Sequence, residues 1–295
     1  MKEAVFYNTA AGNLVICRLC QHNCLIRDGK LGICNVRKNI DGKLYTLNYD
    51  KVVARFAEPI EKKPITHYLQ GTDTYSIAAP GCNFKCSFCQ NSDISQVRAN
   101  KPLAGERIAP SQIVQEAKDN GCKSISYTYT EPTVWYELMM DVARTAKEEG
   151  LKNILVTNGY MEISPLAFIM DVIDAVNVDL KGWDANSHRN VCRSSLMRVE
   201  SVIRAISLKA NRHLEISTTI IPGFNDHPKA VRSMALTIKK IQEISKRVIP
   251  WHLQRFHPAF RMSDREATPI KTMEQAYNMA KECGLEVVDA QGCNI

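Results

Sequence analysis

The stretch "PGCNFKCSFCQN", Pro80–Asn91, sets Cys82, Cys86 and Cys89 in a C-x3-C-x2-C spacing. A structural zinc site takes four ligands, and so does an iron–sulfur cube held wholly by protein. A group of three therefore needs either a distant fourth ligand or a deliberate vacancy. The preceding "TYSIAAP" reads as a strand, and Pro80-Gly81 as the turn that ends it. The three cysteines thus sit on a loop at the C-terminal end of a strand, the end at which repeated strand–helix folds carry their chemistry.

Outward from this loop the chain alternates strands and helices. The strands expected from Thr74 onward are "TYSIAA", "SISYTY", "NILVT", "AVNVDL", "LEISTTI", "PWHLQRF" and "LEVVD". Between them, "PSQIVQEAKDNG" has Pro110 at a helix start and Gly121 at its stop. "PTVWYELMMDVARTAKEEG" runs from Pro132 to Gly150, with Val134, Leu138 and Val142 four apart. "HPKAVRSMALTIKKI" gathers Val231, Met234, Ile238 and Ile241 on one face. Repeated βα units with apolar strands imply an α/β fold, a parallel sheet with helices outside it. About six or seven units are present, fewer than a closed barrel needs. The expected fold is a partial, open TIM barrel, roughly (β/α)6, over residues 71–295. Residues 1–70 are expected to form a small β-rich, cysteine-bearing module, with Asp41-Gly42 as a hairpin turn.

The 295 residues are 45% hydrophobic and 23% charged, enough apolar material for a full core. The start lacks the apolar region of a secretory signal, and no uninterrupted apolar run of about 18 residues suggests a membrane span. A cytoplasmic protein is expected. The net charge of +7 comes from Lys and Arg scattered along helices, as in "IKKIQEISKR", with no long basic block that would mark a nucleic-acid site.

Seven of the eleven cysteines fall in two groups. An odd count in a long chain argues for metal binding over a disulfide framework. Cys17, Cys20, Cys24 and Cys34, spaced C-x2-C-x3-C-x9-C, could close a zinc site or hold an auxiliary iron–sulfur cluster. A closed structural site is the reading preferred, and His22 could replace one ligand. Three thiolates on the second loop could hold three corners of a [4Fe–4S] cube and leave the fourth iron open. The plainer reading is a zinc site completed from elsewhere. Cys192, in "RNVCRSSL", could take part in a hydrogen-atom step but reads more simply as a small buried side chain. Cys122 and Cys283 lie at helix ends and read as structural.

Further motifs follow successive strands. They are "YTYTEPT" with Thr130 and Glu131, "LVTNGY" with Thr157, Asn158 and Gly159, "NVDLKG" with Asp179 and Lys181, "TTIIPGFND", and "IPWHLQRFHP" with His252 and His257. Each alone has a plain structural reading, such as a charge at a helix start or a satisfied core histidine. Together with the three-cysteine loop they resemble the radical S-adenosylmethionine superfamily. "CRLCQHNCLIRDGKLGICNVRKN", "EPIEKKPITHYL" and "RFHPAFRMSDREATP" narrow the resemblance to the radical enzyme family of the AmmeMemoRadiSam system, in the pyruvate formate-lyase activating-enzyme-like branch. Two departures stand out. The chain ends in "VVDAQGCNI" instead of a longer tail, and Val156 stands where related activating enzymes often carry an acidic residue.

The resemblance implies an enzyme with a [4Fe–4S] cluster on Cys82, Cys86 and Cys89 whose open iron binds S-adenosylmethionine. Reductive cleavage would give methionine and a 5′-deoxyadenosyl radical that abstracts hydrogen. Thr130 and Glu131 would face the methionyl amino group, Asp179 and Lys181 the ribose and carboxylate region, and Ile221-Pro222-Gly223 the adenine. Asn158 and His252 would line the cofactor pocket. The implied partners are an electron donor such as flavodoxin or ferredoxin and a protein whose glycine is activated. The alternatives are a small-molecule substrate handled with Memo-like and AMMECR-like proteins, or, from another class, a zinc-containing nucleic-acid-binding protein.

Overall fold

A computed structural model describes residues 1–99 and 101–293. The expected tail "VVDAQGCNI" is described as far as Cys293; its last two residues lie outside. The chain divides into two compact units, Met1–Asn83 with Asn91–Val176, and Phe84–Gln90 with Asn177–Ile295.

The first unit opens with two small antiparallel sheets. One joins β1 (Lys2–Glu3), β5 (Arg37–Ile40) and β6 (Lys43–Thr46); the other joins β2 (Tyr7–Ala10), β3 (Leu14–Cys17) and β4 (Leu25–Ile26). Asp41 and Gly42 both take positive φ, 51° and 79°, so the β5–β6 hairpin has the tight two-residue turn expected of Asp-Gly. Next comes β7 (Ala54–Pro59), which pairs antiparallel with β8 (Asp73–Ala78). The larger sheet thus begins upstream of Thr74, with a strand whose Pro59 sits at its last position, where a missing N–H costs little.

The helices α1 (Ser92–Ser95) and α2 (Pro110–Asp119) precede β9 (Ser124–Tyr127). Glu131 caps a short 3-10 turn, Pro132–Trp135, that leads into α3 (Tyr136–Glu148). Then follow β10 (Lys152–Thr157) and α4 (Ile163–Ile169). β8, β9 and β10 are parallel and level, with Thr74, Ser124 and Lys152 side by side and Ile77, Tyr127 and Leu155 side by side. Their C-terminal ends therefore form one edge. Ile60, Ile65, Ile154 and Ala175 form an apolar cluster in this unit, with Tyr68, Leu69 and Val156 packed on it.

The division between units falls within β11 (Ala175–Asp179). The second unit then carries α5 (Ala185–Cys192), α6 (Leu196–Ser207), β12 (His213–Ile220), α7 (Pro228–Ser245), β13 (Trp251–Arg255), α8 (Ile270–Glu282) and β14 (Val288–Ala290). β12, β13 and β14 are parallel, with Ser217 beside His252 and His252 beside Asp289. Val231, Met234, Ile238 and Ile241 of α7 are all buried, as their spacing requires. Every strand expected from Thr74 onward is present, in an α/β architecture dominated by parallel strands. Cys283 closes α8, the helix end read for it, while helices α4, α5 and α6 fill intervals in which no helix was singled out from the sequence.

One buried ion pair ties the N-terminal strands to α3. Arg37 on β5 donates two hydrogen bonds to Glu137, at 3.1 and 2.6 Å, and both side chains are almost fully enclosed. Glu137 also accepts from the backbone N–H of Val5 at 2.9 Å. Removing one partner strands the other's charge in a dry interior, at a cost of about 3–5 kcal/mol. Arg37→Met is therefore expected to lower unfolding stability in urea by about 3–5 kcal/mol, and Arg37→Met with Glu137→Leu to recover most of it. A single-variant loss below about 1 kcal/mol would contradict this assignment.

Candidate active site

In the first unit the expected residues collect at the level edge of β8, β9 and β10. β8 ends at Ala78, and the chain turns through Pro80 and Gly81 to Cys82. Gly81 has φ +110°, and a β-carbon there would lie 2.8 Å from Val36 Cγ1. No other residue fits both the dihedral and the space. The turn is thereby pressed against the N-terminal strands, and Cys82 starts from a fixed place.

Glu131 is buried, 2% exposed, and fully used by this chain's own donors. Its Oε1 accepts from Thr133 N–H at 3.0 Å and from the hydroxyls of Thr133 and Thr157 at 2.5 and 2.7 Å; Oε2 accepts from Asn158 N–H at 2.8 Å. Burial pushes its pKa up, and the four donors only partly offset this. The carboxylate thus stitches the end of β9 to the end of β10. Thr130 is occupied too: its hydroxyl donates to Ala79 O at 2.6 Å and accepts from Trp135 Nε1 at 3.0 Å.

Asn158, placed by Glu131, donates to Asn83 Oδ1 at 2.8 Å and reaches Cys82 Sγ at 3.9 Å. Asn83 Nδ2 is buried without a partner. The Asn83 carbonyl accepts from His22 Nε2 at 2.9 Å, and the His22 ring packs edge-on against Tyr160. His22 thereby ties its Nε2 to the residue next to Cys82.

A second cluster, which Tyr129 joins from this edge and Glu58 from beside the start of β8, was not signalled by spacing. Lys63, 2% exposed, lies 2.5 Å from Glu58 Oε1 and donates to Tyr129 OH at 2.7 Å; Tyr129 OH also donates to Glu58. Hydrogen bonds from Lys63 and Tyr129 hold Glu58 below the usual carboxylate range, although burial acts against them. Tyr129 has φ +64°, and its carbonyl accepts from Asn91 Nδ2 at 2.9 Å. This residue joins the turn before Thr130 to the flank of the cysteine loop. The sequence signal was the pair of lysines in "IEKKP", of which only Lys63 is enclosed.

In the second unit, Leu180 N–H donates to Ser217 O at 2.8 Å, and Ser217 lies beside His252. That register sets Asp179, Lys181 and His252 at one level. Lys181 pairs with Asp179, and its Nζ lies 5.6 Å from the Phe88 ring centre. Burial works against the Lys181 charge, but the Asp179 carboxylate beside it keeps its pKa well above the ordinary value. Asp179 Oδ1 is buried without a partner. His252 contacts Glu215 and, at 3.1 Å, Asp289; Glu215 in turn contacts His213 at 2.6 Å. His257 is exposed. His188, fully buried on α5, contacts Ser194 at 2.6 Å, and burial with the nearby Lys181 charge lowers its pKa to about 4.

The four cysteines of the first group are unbonded thiols whose pKa values burial pushes up, Cys20 by the most. Among the described residues no three His, Cys, Asp or Glu side chains converge on one metal-ion position. The four thiols nevertheless lie near enough for their charges to couple, Cys17 with Cys34, and Cys20 with Cys17, Cys24 and Cys34.

Burial lowers the His252 pKa, but hydrogen bonds to Asp289 and Glu215 outweigh it and leave the value at about 8. A raised folded-state pKa stabilises the fold below the ordinary value of about 6.5, and that contribution is lost as pH rises through about 8. The wild type is expected to lose roughly 2 kcal/mol more than His252→Asn between pH 6 and pH 9, by urea unfolding. Equal slopes for the two proteins would contradict the assignment.

Residues 76–235, more than half of the chain, match the radical SAM superfamily. An uncharacterised protein of Methanocaldococcus jannaschii is 39% identical over 288 residues, 98% of this chain and 84% of its own. The pyruvate formate-lyase-activating enzyme of Clostridium pasteurianum is 21% identical over 210 residues, 68% of this chain and 87% of its own. Of solved structures, Streptococcus suis SuiB bound to S-adenosylmethionine aligns with a TM-score of 0.55 and 14% identity, over 72% of this chain and 48% of that one, a likeness of fold. Membership implies a [4Fe–4S] cluster and S-adenosylmethionine as cofactors. The chain belongs to the radical SAM superfamily and is an enzyme related to the activating enzymes of glycyl-radical systems.

Proposed function

We propose that Cys82, Cys86 and Cys89 hold the [4Fe–4S] cluster, that S-adenosylmethionine binds its open iron, and that the enzyme acts on a glycine of a protein partner. The observation that carries this reading is the three-cysteine loop leaving β8 at the edge where the β9 and β10 turns are locked together. The donor set fits: the three thiols are free of disulfides. A buried donor, Asn83 Nδ2, and a buried acceptor, Asp179 Oδ1, stand without partners in this chain. Such groups cost about 1–3 kcal/mol each unless a bound molecule satisfies them.

When bound, the cluster and S-adenosylmethionine supply reductive cleavage to methionine and a hydrogen-abstracting 5′-deoxyadenosyl radical. The chain's own residues position and enclose. Glu131 and Thr130 fix the turn that would face the methionyl amino group; with their side chains occupied, the backbone of that turn would make the contact. Asp179 would accept from a ribose hydroxyl through its free oxygen, while Lys181 would hold a carboxylate or balance thiolate charge. Asn158 would position Asn83 beside Cys82. His252 would set the charge of the polar face it shares with Asp179.

An open (β/α)6 barrel with residues 1–70 as its N-terminal module, a cytoplasmic setting and a flavodoxin or ferredoxin as reductant complete the reading. Similarity to activating enzymes supports a protein substrate, and the N-terminal motifs support the AmmeMemoRadiSam branch. For Cys17, Cys20, Cys24 and Cys34 we retain a metal: about four iron and one zinc per chain are expected after anaerobic preparation, and about eight iron would replace zinc by a second cluster.

Reduced, cluster-loaded protein given S-adenosylmethionine is expected to release methionine and 5′-deoxyadenosine. Cys86→Ala should reduce this by more than about 100-fold without changing the circular dichroism spectrum. A loaded wild type that releases neither product, or a variant that keeps full activity, would overturn the reading. Cross-linking in extract followed by mass analysis is expected to find a partner altered at glycine. A change confined to a small molecule would replace the protein substrate by the alternative.

A further inference from the structure

A fourth thiol lies against the cysteine loop, outside its C-x3-C-x2-C spacing. Cys192 is the last residue of α5, which stops there because Arg193 turns left-handed, with φ 57°. Two backbone hydrogen bonds pin this helix end to the loop: Lys85 N–H donates to Cys192 O at 3.2 Å, and Ser87 N–H donates to Val191 O at 3.3 Å. They bracket Cys86 on both sides. Cys192 has no exposed surface, and Cys86 is 6% exposed. The two sulfurs lie close enough for their charges to be coupled, and Lys181 lies near both.

A plain packing role would need only a small apolar side chain at the end of α5. The end of α5 instead sets a second sulfur beside Cys86, and once Cys86 is an iron-bound thiolate only Cys192 of the pair can carry a proton. Hydrogen bonds to ligand sulfurs are among the main determinants of iron–sulfur reduction potential. Reduction adds negative charge to the cluster and its thiolates, so a donor beside one thiolate stabilises the reduced form more than the oxidised one. We propose that Cys192 donates an S–H hydrogen bond to the Cys86 ligand and thereby raises the reduction potential of the cluster. This rests on Cys86 being a cluster ligand. Cys192 is on this reading a positioning residue that acts through Cys86, with the Lys181 charge acting in the same direction. The buried site keeps water from competing for the sulfur.

The test is the midpoint potential of reconstituted, S-adenosylmethionine-free holoenzyme, followed by paramagnetic resonance during redox titration. Cys192→Ala should be harder to reduce by between about threefold and tenfold, the upper limit being about 59 mV for one electron. Cys192→Ser, which keeps a donor, should return most of the way to wild type. An unchanged midpoint in a fully iron-loaded Cys192→Ala would overturn the proposal, and so would equal shifts in both variants, which would mean packing alone. In case neither variant keeps its cluster, double resonance on the wild type in H2O and D2O supplies an independent reading. An exchangeable proton coupled to the cluster is expected, and its absence would overturn the proposal. A wild type that takes up no four-iron cluster at all would overturn this proposal and the reading beneath it together, an outcome separate from a loaded cluster with an unmoved potential.

Discussion

The carboxylate of Glu131 is the constraint on which the candidate site depends. It is buried, and between them its two oxygens are held by donors from two strand-end turns. A carboxylate in such a place is costly unless saturated, so the turns after β9 and β10 cannot separate without stranding it. Their union aims Asn158 at Asn83 and Cys82, and His22 closes the far side of the same residue. The beginning of the cysteine loop is thus set by hydrogen bonds that radiate from one carboxylate. Gly81 completes the constraint through a dihedral and a close approach that no other residue tolerates.

The second unit solves a different problem, the holding of charge in a nearly dry place. Asp179 balances Lys181, and Glu215 and Asp289 balance His252. Parallel register brings these groups onto one face without any local sequence signal, because neighbouring parallel strands share the facing of side chains in register. One acceptor, Asp179 Oδ1, remains unsatisfied. In an otherwise paired network, such an atom marks where a ligand would contribute.

Much of this was legible in the sequence. Strands rich in β-branched residues with turn signals at their ends read correctly from Thr74 onward, and α7 declared its buried face by spacing alone. The hairpin at Asp41-Gly42 followed from the dihedrals that Asp and Gly accept. What escaped was non-local. The strand Ala54–Pro59 pairs antiparallel at a sheet edge, where neither periodicity nor composition distinguishes it from the module before it. Glu131 was expected to face the cofactor, but its partners Thr157 and Asn158 lie 26 and 27 residues away in sequence, so its saturation could not be read locally. Lys63, Glu58 and Tyr129 meet only after folding, as do Cys86 and Cys192.

The central claim is that three protein sulfurs hold a four-iron cluster and leave one iron for S-adenosylmethionine. The most direct measurement is the electron paramagnetic resonance spectrum of the reduced, reconstituted protein before and after S-adenosylmethionine is added. A cluster with a vacant iron changes its g values as that site fills, and the account predicts such a change in the wild type. A four-iron signal that stays the same under saturating S-adenosylmethionine would contradict it.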